Sequence, residues 1–234
     1  SRDCMKYEEI VELIQYECGQ SKIFMPNEIF EDLQSNINKS PHIAFSYSYI
    51  YIVHWLYRYA KNIVNGHAID NKDLKEILGY ASSNRTVDYL IKKGGVLDEI
   101  NYTESTREFP LSQNYSEEEN LVFTMSHEYE DVLNVISDAS NRYFLKYPVK
   151  AFEREVDGET INGIFYDVSN THLISFDIFL FCMSKEKVGC LGFYLYSYLK
   201  MMNDNYEHGY DVSLANLSKK NKIQLEDFSW EKEL

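Results

Sequence analysis

Through the first half of the chain the hydrophobic positions recur at helical spacing. Met5, Ile10, Val11, Leu13 and Ile14 lie among acidic residues and predict a short amphipathic helix within 5–18. Ile29, Phe30 and Leu33 predict a second helix through about Asn36, with Pro26 at a first-turn position, and Ser40-Pro41 reads as a break. Between 43 and 61, Phe45, Tyr47, Tyr49 and Tyr51 alternate as in a strand. The run lacks breakers, however, and continues through Trp55, Leu56, Tyr59 and Ala60, so its length favours a buried helix. Gly66 supplies a turn, Asp70 caps a helix over Asn71–Leu78, and Gly79 closes it. Ser82, Ser83 or Asn84 caps a third helix reaching Lys93, with Val87, Leu90 and Ile91 facing inward and Gly94-Gly95 as its stop. Val96–Ile100 and Phe109-Pro110-Leu111, on either side of a polar tip at Thr103–Arg107, predict a hairpin.

Further along, Ser116-Glu117-Glu118-Glu119 is a solvated acidic run. Leu121–Met125 reads as a strand and Glu128–Ala139 as a helix, while Phe152–Val156 and Ile161–Val168 form a hairpin around Asp157-Gly158-Glu159-Thr160. From about Leu173 the helical pattern returns. Phe176, Ile178, Phe179, Phe181 and Met183 form an entry, and Val188–Met202 a long helix. A spacing then repeats. Leu56-Tyr57-Arg58-Tyr59-Ala60-Lys61 followed by Leu74-x5-Tyr80 matches Leu195-Tyr196-Ser197-Tyr198-Leu199-Lys200 followed by Leu217-x5-Ile223. The offsets are 139 and 143 residues, reconciled by a four-residue loop insertion. After Ile223 a third helix would rest on Leu225, Phe228, Trp230 and Leu234 alone; either it is degenerate or the chain continues past Leu234.

Three helices and a hairpin over roughly 43–112 resemble a winged helix-turn-helix. The residues carrying that resemblance are Leu74-x5-Tyr80, Thr86-x-x-Tyr89-Leu90 and the Gly94-Gly95-Val96-Leu97 exit. The expected fold class is mainly α with small β hairpins, an α+β arrangement. It comprises an N-terminal helical extension (1–41), a first winged-helix module (42–112), an acidic connector with a β-hairpin (113–170) and a second, winged-helix-like module (171–234). Tandem modules of this kind resemble the replication-initiator and related regulatory proteins of plasmids and phages of low-GC bacteria. The resemblance implies a cytoplasmic protein that binds double-stranded DNA without a cofactor, as a homodimer formed through its aromatic first helix. It further implies that Asn84, Arg85 and Thr86 read bases, as amide and guanidinium groups bind adenine and guanine edges in pairs. Ser82, Ser83, Lys92, Lys93, Arg107 at the wing and the Lys219, Lys220 and Lys222 cluster would hold phosphates.

Charge pulls the other way. The formal net charge is −14, and duplex affinity rests largely on neutralising phosphates. The imbalance is uneven: residues 42–110 carry eight basic and eight acidic side chains, whereas 111–170 carry four against twelve. A local basic face survives such a balance; a long-range attractive field does not. Asp88, Glu104 and Glu108 stand among the candidate contacts, and Lys219–Lys222 precede Glu226 and Asp227, so both groups also read as ordinary solvated faces. The rival reading is an acidic protein-binding module, an adaptor, antirepressor or inhibitor, whose connector occupies a partner's basic groove.

Catalytic chemistry finds little footing. The six histidines are scattered without HxH or HExxH, and GxxxxGK[ST], GxSxG and CxxC are all missing. Cys4, Cys18, Cys182 and Cys190 match no zinc spacing and read as reduced thiols. No catalytic or metal-ligating residue is expected. The longest apolar stretch, Ile50–Leu56, contains His54 and is no membrane span.

Overall fold

In the computed structural model, which describes residues 4–129 and 145–223, the aromatic run forms helix α3 (Ser40–Arg58). Apolar side chains occur on every face of it, the pattern of a helix surrounded by protein. Seventeen of its 19 residues are buried. Pro41 sits in the first turn, where a missing N–H costs no intrahelical bond, so Ser40-Pro41 starts the helix. Before it come α1 (Tyr7–Ile14), strand β1 (Lys22–Pro26) and α2 (Ile29–Asn36). Pro26 does not open a helix as expected: it ends β1 opposite Thr171, and α2 begins at Ile29. Residues 1–41 are therefore more than an extension, because β1 and α2 both line the main core.

The repeat is real in element order, and its register differs from the one read in sequence. In the second half, β10 (Thr171–Ser175) leads into α8 (Phe176–Met183) and α9 (Gly189–Asn205). Both ends of α2 and α8, and the C-terminal ends of α3 and α9, lie 147 positions apart. That offset superposes Tyr47, Tyr49 and Tyr51 on Tyr194, Tyr196 and Tyr198. The 139-residue match was two helical turns out of step. A shift of eight residues rotates a helical pattern by only about 80°, so aromatic positions agree nearly as well in either register. The two copies face each other. β1 and β10 pair antiparallel about Phe24 and Leu173, and Tyr47 meets its counterpart Tyr194 edge-on at 5.7 Å between ring centroids.

After α3 the chain makes the β2 (Ile63–Val64) and β3 (His67–Ala68) hairpin around Gly66 and enters α4 (Asn71–Ile77). After α9, α10 (Leu214–Asn221) follows. Asp70 and Ser213 cap these helices through their side chains and keep the expected offset of 143. The four-residue insertion therefore lies in the first copy, where β2–β3 sits. The expected third helix shrinks to α5 (Asp88–Ile91), because residues 82–87 form turns instead. Val87, Leu90 and Ile91 face inward as read.

The expected hairpin over 96–111 does not form. Val96–Glu99 is helix α6, and β4 (Thr103–Thr106) pairs with the distant β7 (Leu145–Pro148). Between them, β5 (Pro110–Tyr115) and β6 (Leu121–Met125) form their own hairpin with Glu117–Glu119 at its turn. The residues read as a polar tip, Thr103–Thr106, are themselves a strand, and local alternation carries no information about a partner 40 residues away. Past α7 (Val149–Phe152), the hairpin of β8 (Glu153–Val156) and β9 (Glu159–Asn162) turns at Asp157-Gly158 as expected, but its second strand takes in Glu159-Thr160 and ends at Asn162, short of the expected Val168. The expected Glu128–Ala139 helix does not begin at Glu128, which closes a single 3-10 turn (Ser126–Glu128) followed by extended Tyr129; the rest of that stretch, and the residues expected to form the last helix of the second copy, lie outside the described residues.

The architecture is thus mixed α and β, with small antiparallel two-stranded sheets. One hydrophobic core runs from Ile10 to Ile223, and a smaller one gathers Phe109 and Leu145 around Tyr57 at the end of α3. Arg154, fully buried, ties the copies together. Its guanidinium donates to both carboxylate oxygens of Glu28 (3.0 and 2.8 Å) and to the carbonyls of Ser169 and Asn170. With α3 buried within one chain, it offers no face for the homodimer contact expected of it.

Candidate nucleic-acid interface

The candidate residues of the first copy are held by α4 and the turn after it. Lys75 is a buried lysine of α4 whose ammonium donates to the Asn84 carbonyl (2.6 Å) and pairs with Asp88. It fixes the start and the middle of the stretch that was expected to be helical through Lys93. Within it, the Asn84 side-chain oxygen accepts from the Thr86 N–H and hydroxyl, both at 2.7 Å. A local turn of this kind competes with helix formation, which is the physical reason α5 starts late. Ser83, Arg85 and Thr86 are exposed, while Ser82 and Asn84 are half-buried. The proposed base-reading residues therefore sit on a turn. A four-residue helix is itself too short to fill a major groove.

Lys92 and Lys93 stand exposed at the end of α5. The turn behind them is braced by Asp98, which accepts from the Gly94 N–H, the Thr103 and Ser105 hydroxyls and Lys146 Nζ (2.6 Å). Burial works to raise the Asp98 carboxyl, but the hydrogen bonds from Lys146, Thr103 and Gly94 outweigh it and leave it below its ordinary value. Of the carboxylates in this region, Asp88 and Asp98 thus each face a buried lysine. Glu108 hydrogen-bonds His127 (2.9 Å), and Glu104 is exposed on β4. Arg107 follows β4, exposed, and is not at a hairpin tip.

The second lysine group is closer to the first than the sequence suggests. Lys219 and Lys220 are exposed on α10, and Lys220 donates to the Tyr210 hydroxyl (2.8 Å). Lys222, past the helix end, donates to the Gln34 carbonyl near the end of α2. Gln34, Tyr194 and Asn221 hydrogen-bond one another and lock α10 onto α2. From Gln34 the chain runs through Ser35, Asn36, Ile37 and Asn38 to Lys39, a stretch without a carboxylate. Lys39 stands beside His42, whose ring is held below its ordinary pKa first by burial and then by that ammonium. His42 in turn hydrogen-bonds the Tyr89 hydroxyl (2.9 Å) on α5, just ahead of Lys92. Lys39, Lys92 and Lys93 are thereby placed at the N-terminal end of α3, and Lys222 lies on the α2 residue five positions before Lys39.

Lys39, His42 and Tyr89 were missed in sequence as members of this corner. Nothing local marks them, since only the fold brings the end of α2 against α10 and the start of α3 against α5. Among the described residues no group of three or more His, Cys, Asp or Glu side chains is arranged to hold a metal ion. The four cysteines are unpaired, and no described helix is long and apolar enough to cross a membrane. No protein-family model, curated protein or solved structure matches the chain.

Proposed function

We propose that the chain is a cytoplasmic duplex-DNA-binding protein of the replication-initiation or transcription-regulation kind, acting on a bacterial mobile element. The observation that carries the reading is the corner at the start of α3 that holds Lys39, Lys92 and Lys93, with Lys222 of the second copy anchored on α2 at Gln34 and nearby Asp88 and Asp98 already countered by Lys75 and Lys146. A basic face of this kind supplies phosphate contacts in a chain whose overall charge is negative. Lys219, Lys220 and Arg107 are further phosphate candidates, with Ser82 and Ser83 as neutral donors, while Arg85, exposed beside Asn84 and Thr86, is the base-reading candidate. The order α3, α4, α5, α6 and then the β4–β7 ladder is a winged-helix plan in our reading, with the β5–β6 hairpin as an extended wing. A homodimer belongs to the same proposal, through a surface other than α3.

The test is fluorescence anisotropy of a labelled duplex across about 50–200 mM salt. Binding should weaken steeply with salt, and Lys92→Ala, Lys93→Ala and Lys222→Ala should each flatten the slope by about one contact. Absence of binding at the lowest salt would overturn the proposal. It would favour the protein-binding module instead, for which the exposed Glu117–Glu119 turn of the β5–β6 hairpin is the natural contact.

A further inference from the structure

At the opposite end of α3, roughly 28 Å along the helix from the corner, a cleft of about 410 Å³ opens between β1, the last turn of α3 and β5. We propose that it binds a nucleoside phosphate, with Arg58 and Lys22 on the phosphate and Tyr59, Tyr115 and Phe165 against the base. The site is separate from the duplex reading and stands or falls without it.

Arg58 is the centre of the argument. Its guanidinium carbon lies 5.1 Å from the Tyr59 ring centroid and 5.8 Å from that of Tyr115. It donates to the Gln113 side-chain oxygen (3.1 Å) and the Tyr115 hydroxyl (2.7 Å), both neutral groups. Of its five N–H donors only those two find a protein acceptor among the described residues, and no described carboxylate meets it. A purely structural arginine such as Arg154 in this chain has its charge matched by Glu28. Arg58 has no such match.

The surroundings repeat the asymmetry. In a chain with 37 acidic and 23 basic side chains, the lining of this cleft contains Arg58 and Lys22 and not one Asp or Glu. The carbonyls at the end of α3 offset part of the Arg58 charge, and Lys22, exposed on β1, restores a net positive site. The walls are aromatic: Phe24, Tyr59 and Phe165 are half-buried, and Tyr115 stands 62% exposed. An anion alone would need no rings and an apolar ligand no guanidinium. A flat base joined to a phosphate uses both, and the volume falls within the range of small-ligand sites. The phosphate-bearing base belongs either to a free nucleotide or to a single strand, and the two are separable by experiment.

The experiment is isothermal titration calorimetry of the full chain with adenosine 5′-monophosphate, adenosine, inorganic phosphate and a single-stranded oligodeoxyadenylate. Adenosine monophosphate should bind saturably and more tightly than adenosine or phosphate. Tyr115→Ala should weaken it by about fivefold or more, the lower end for loss of one stacking face, with Lys22→Ala weakening it as well and Arg58→Met abolishing it. Tyr115 and Lys22 are surface residues, so those two variants remain informative even where Arg58→Met disturbs the end of α3. Tighter binding of the oligonucleotide with the same losses assigns the site to a strand; equal or weaker binding assigns it to a free nucleotide. Failure of both to bind saturably, or binding indifferent to Tyr115→Ala and Lys22→Ala, overturns the proposal.

Discussion

The two copies, 22–58 and 171–205, share an order of strand, short helix and long helix, yet their long helices live in different solvents. In α3, 17 of 19 residues are buried; in α9, seven of 17. α3 is enclosed by α2, β1, β7 and α9 together, whereas α9 meets α3, α8 and β10 and turns its remaining face to water. Tyr49 and Tyr196 make the contrast concrete. Each stands nine positions before the end of its helix, but Tyr49 is fully buried with its hydroxyl on Asn71, and Tyr196 is 43% exposed. Equivalent position in a repeat therefore does not imply equivalent work. The copy placed at the centre carries the constraint.

The largest effect should come from that pair. Tyr49→Ala is expected to cost about 3–5 kcal/mol, the range for truncating a large buried side chain, and Tyr196→Ala within about 0.5 kcal/mol of nothing. Urea unfolding of the two variants reads the difference directly. Equal losses would mean that α9 is as enclosed as α3. The joint between the copies comes next. Arg154→Met strands the Glu28 carboxylate, and about 3 kcal/mol should be lost, visible as a lowered thermal midpoint.

Acid sharpens the comparison, because each copy holds one histidine pushed far below its ordinary value, beside the milder shift of His42. Burial pushes His54 of α3 down to about 4, partly countered by its bond to the Ile50 carbonyl. Burial and then Lys200 push His172 of β10 down to about 3, its ring donating to Asn27 and accepting from Tyr47. Both values lie below that of an unfolded histidine, so the unfolded chain binds more protons between the two limits. Stability is then full above about pH 6.5 and falls with acid, by up to about 1.4 kcal/mol per pH unit for each histidine. Denaturant midpoints measured from pH 7 to 5 should drop, and His172→Gln should flatten the slope by about a third to a half, since His54 and His42 supply the rest. The smallest expected effect is at the caps. Asp70 accepts two backbone N–H bonds and Ser213 one, so Asp70→Ala should cost about 1–2 kcal/mol and Ser213→Ala about 0.5–1 kcal/mol in thermal unfolding.

What sequence disclosed follows the range of the forces involved. The cap at Asp70, the turns at Gly66 and Asp157-Gly158 and the buried identity of α3 rest on near neighbours, and all were legible. The β4–β7 and β1–β10 ladders were not, since pairing across 40 or 150 residues leaves no mark in local alternation. The third helix failed for a local reason that was open to inspection: Asn84 followed by Thr86 is a turn-forming pair, and it outweighed the inward spacing of Val87, Leu90 and Ile91. At the candidate corner, Lys92, Lys93 and Lys222 were named, but their placement relative to Lys39, His42 and Tyr89 was a property of the fold. Arg58 stands in sequence only as part of a repeated pattern, because its missing counter-ion shows only in three dimensions.

Strand β1 pairs with β10 about a Phe24–Leu173 contact, nearly 150 residues downstream. On a ribosome adding about 5–20 residues per second, the first strand waits roughly seven to thirty seconds for its mate. During that interval its backbone edge is open to other nascent chains. Synthesis rate and chaperone supply thereby enter the yield of folded protein, and a short peptide copying Thr171–Ser175 should compete for the vacant edge only while translation is under way.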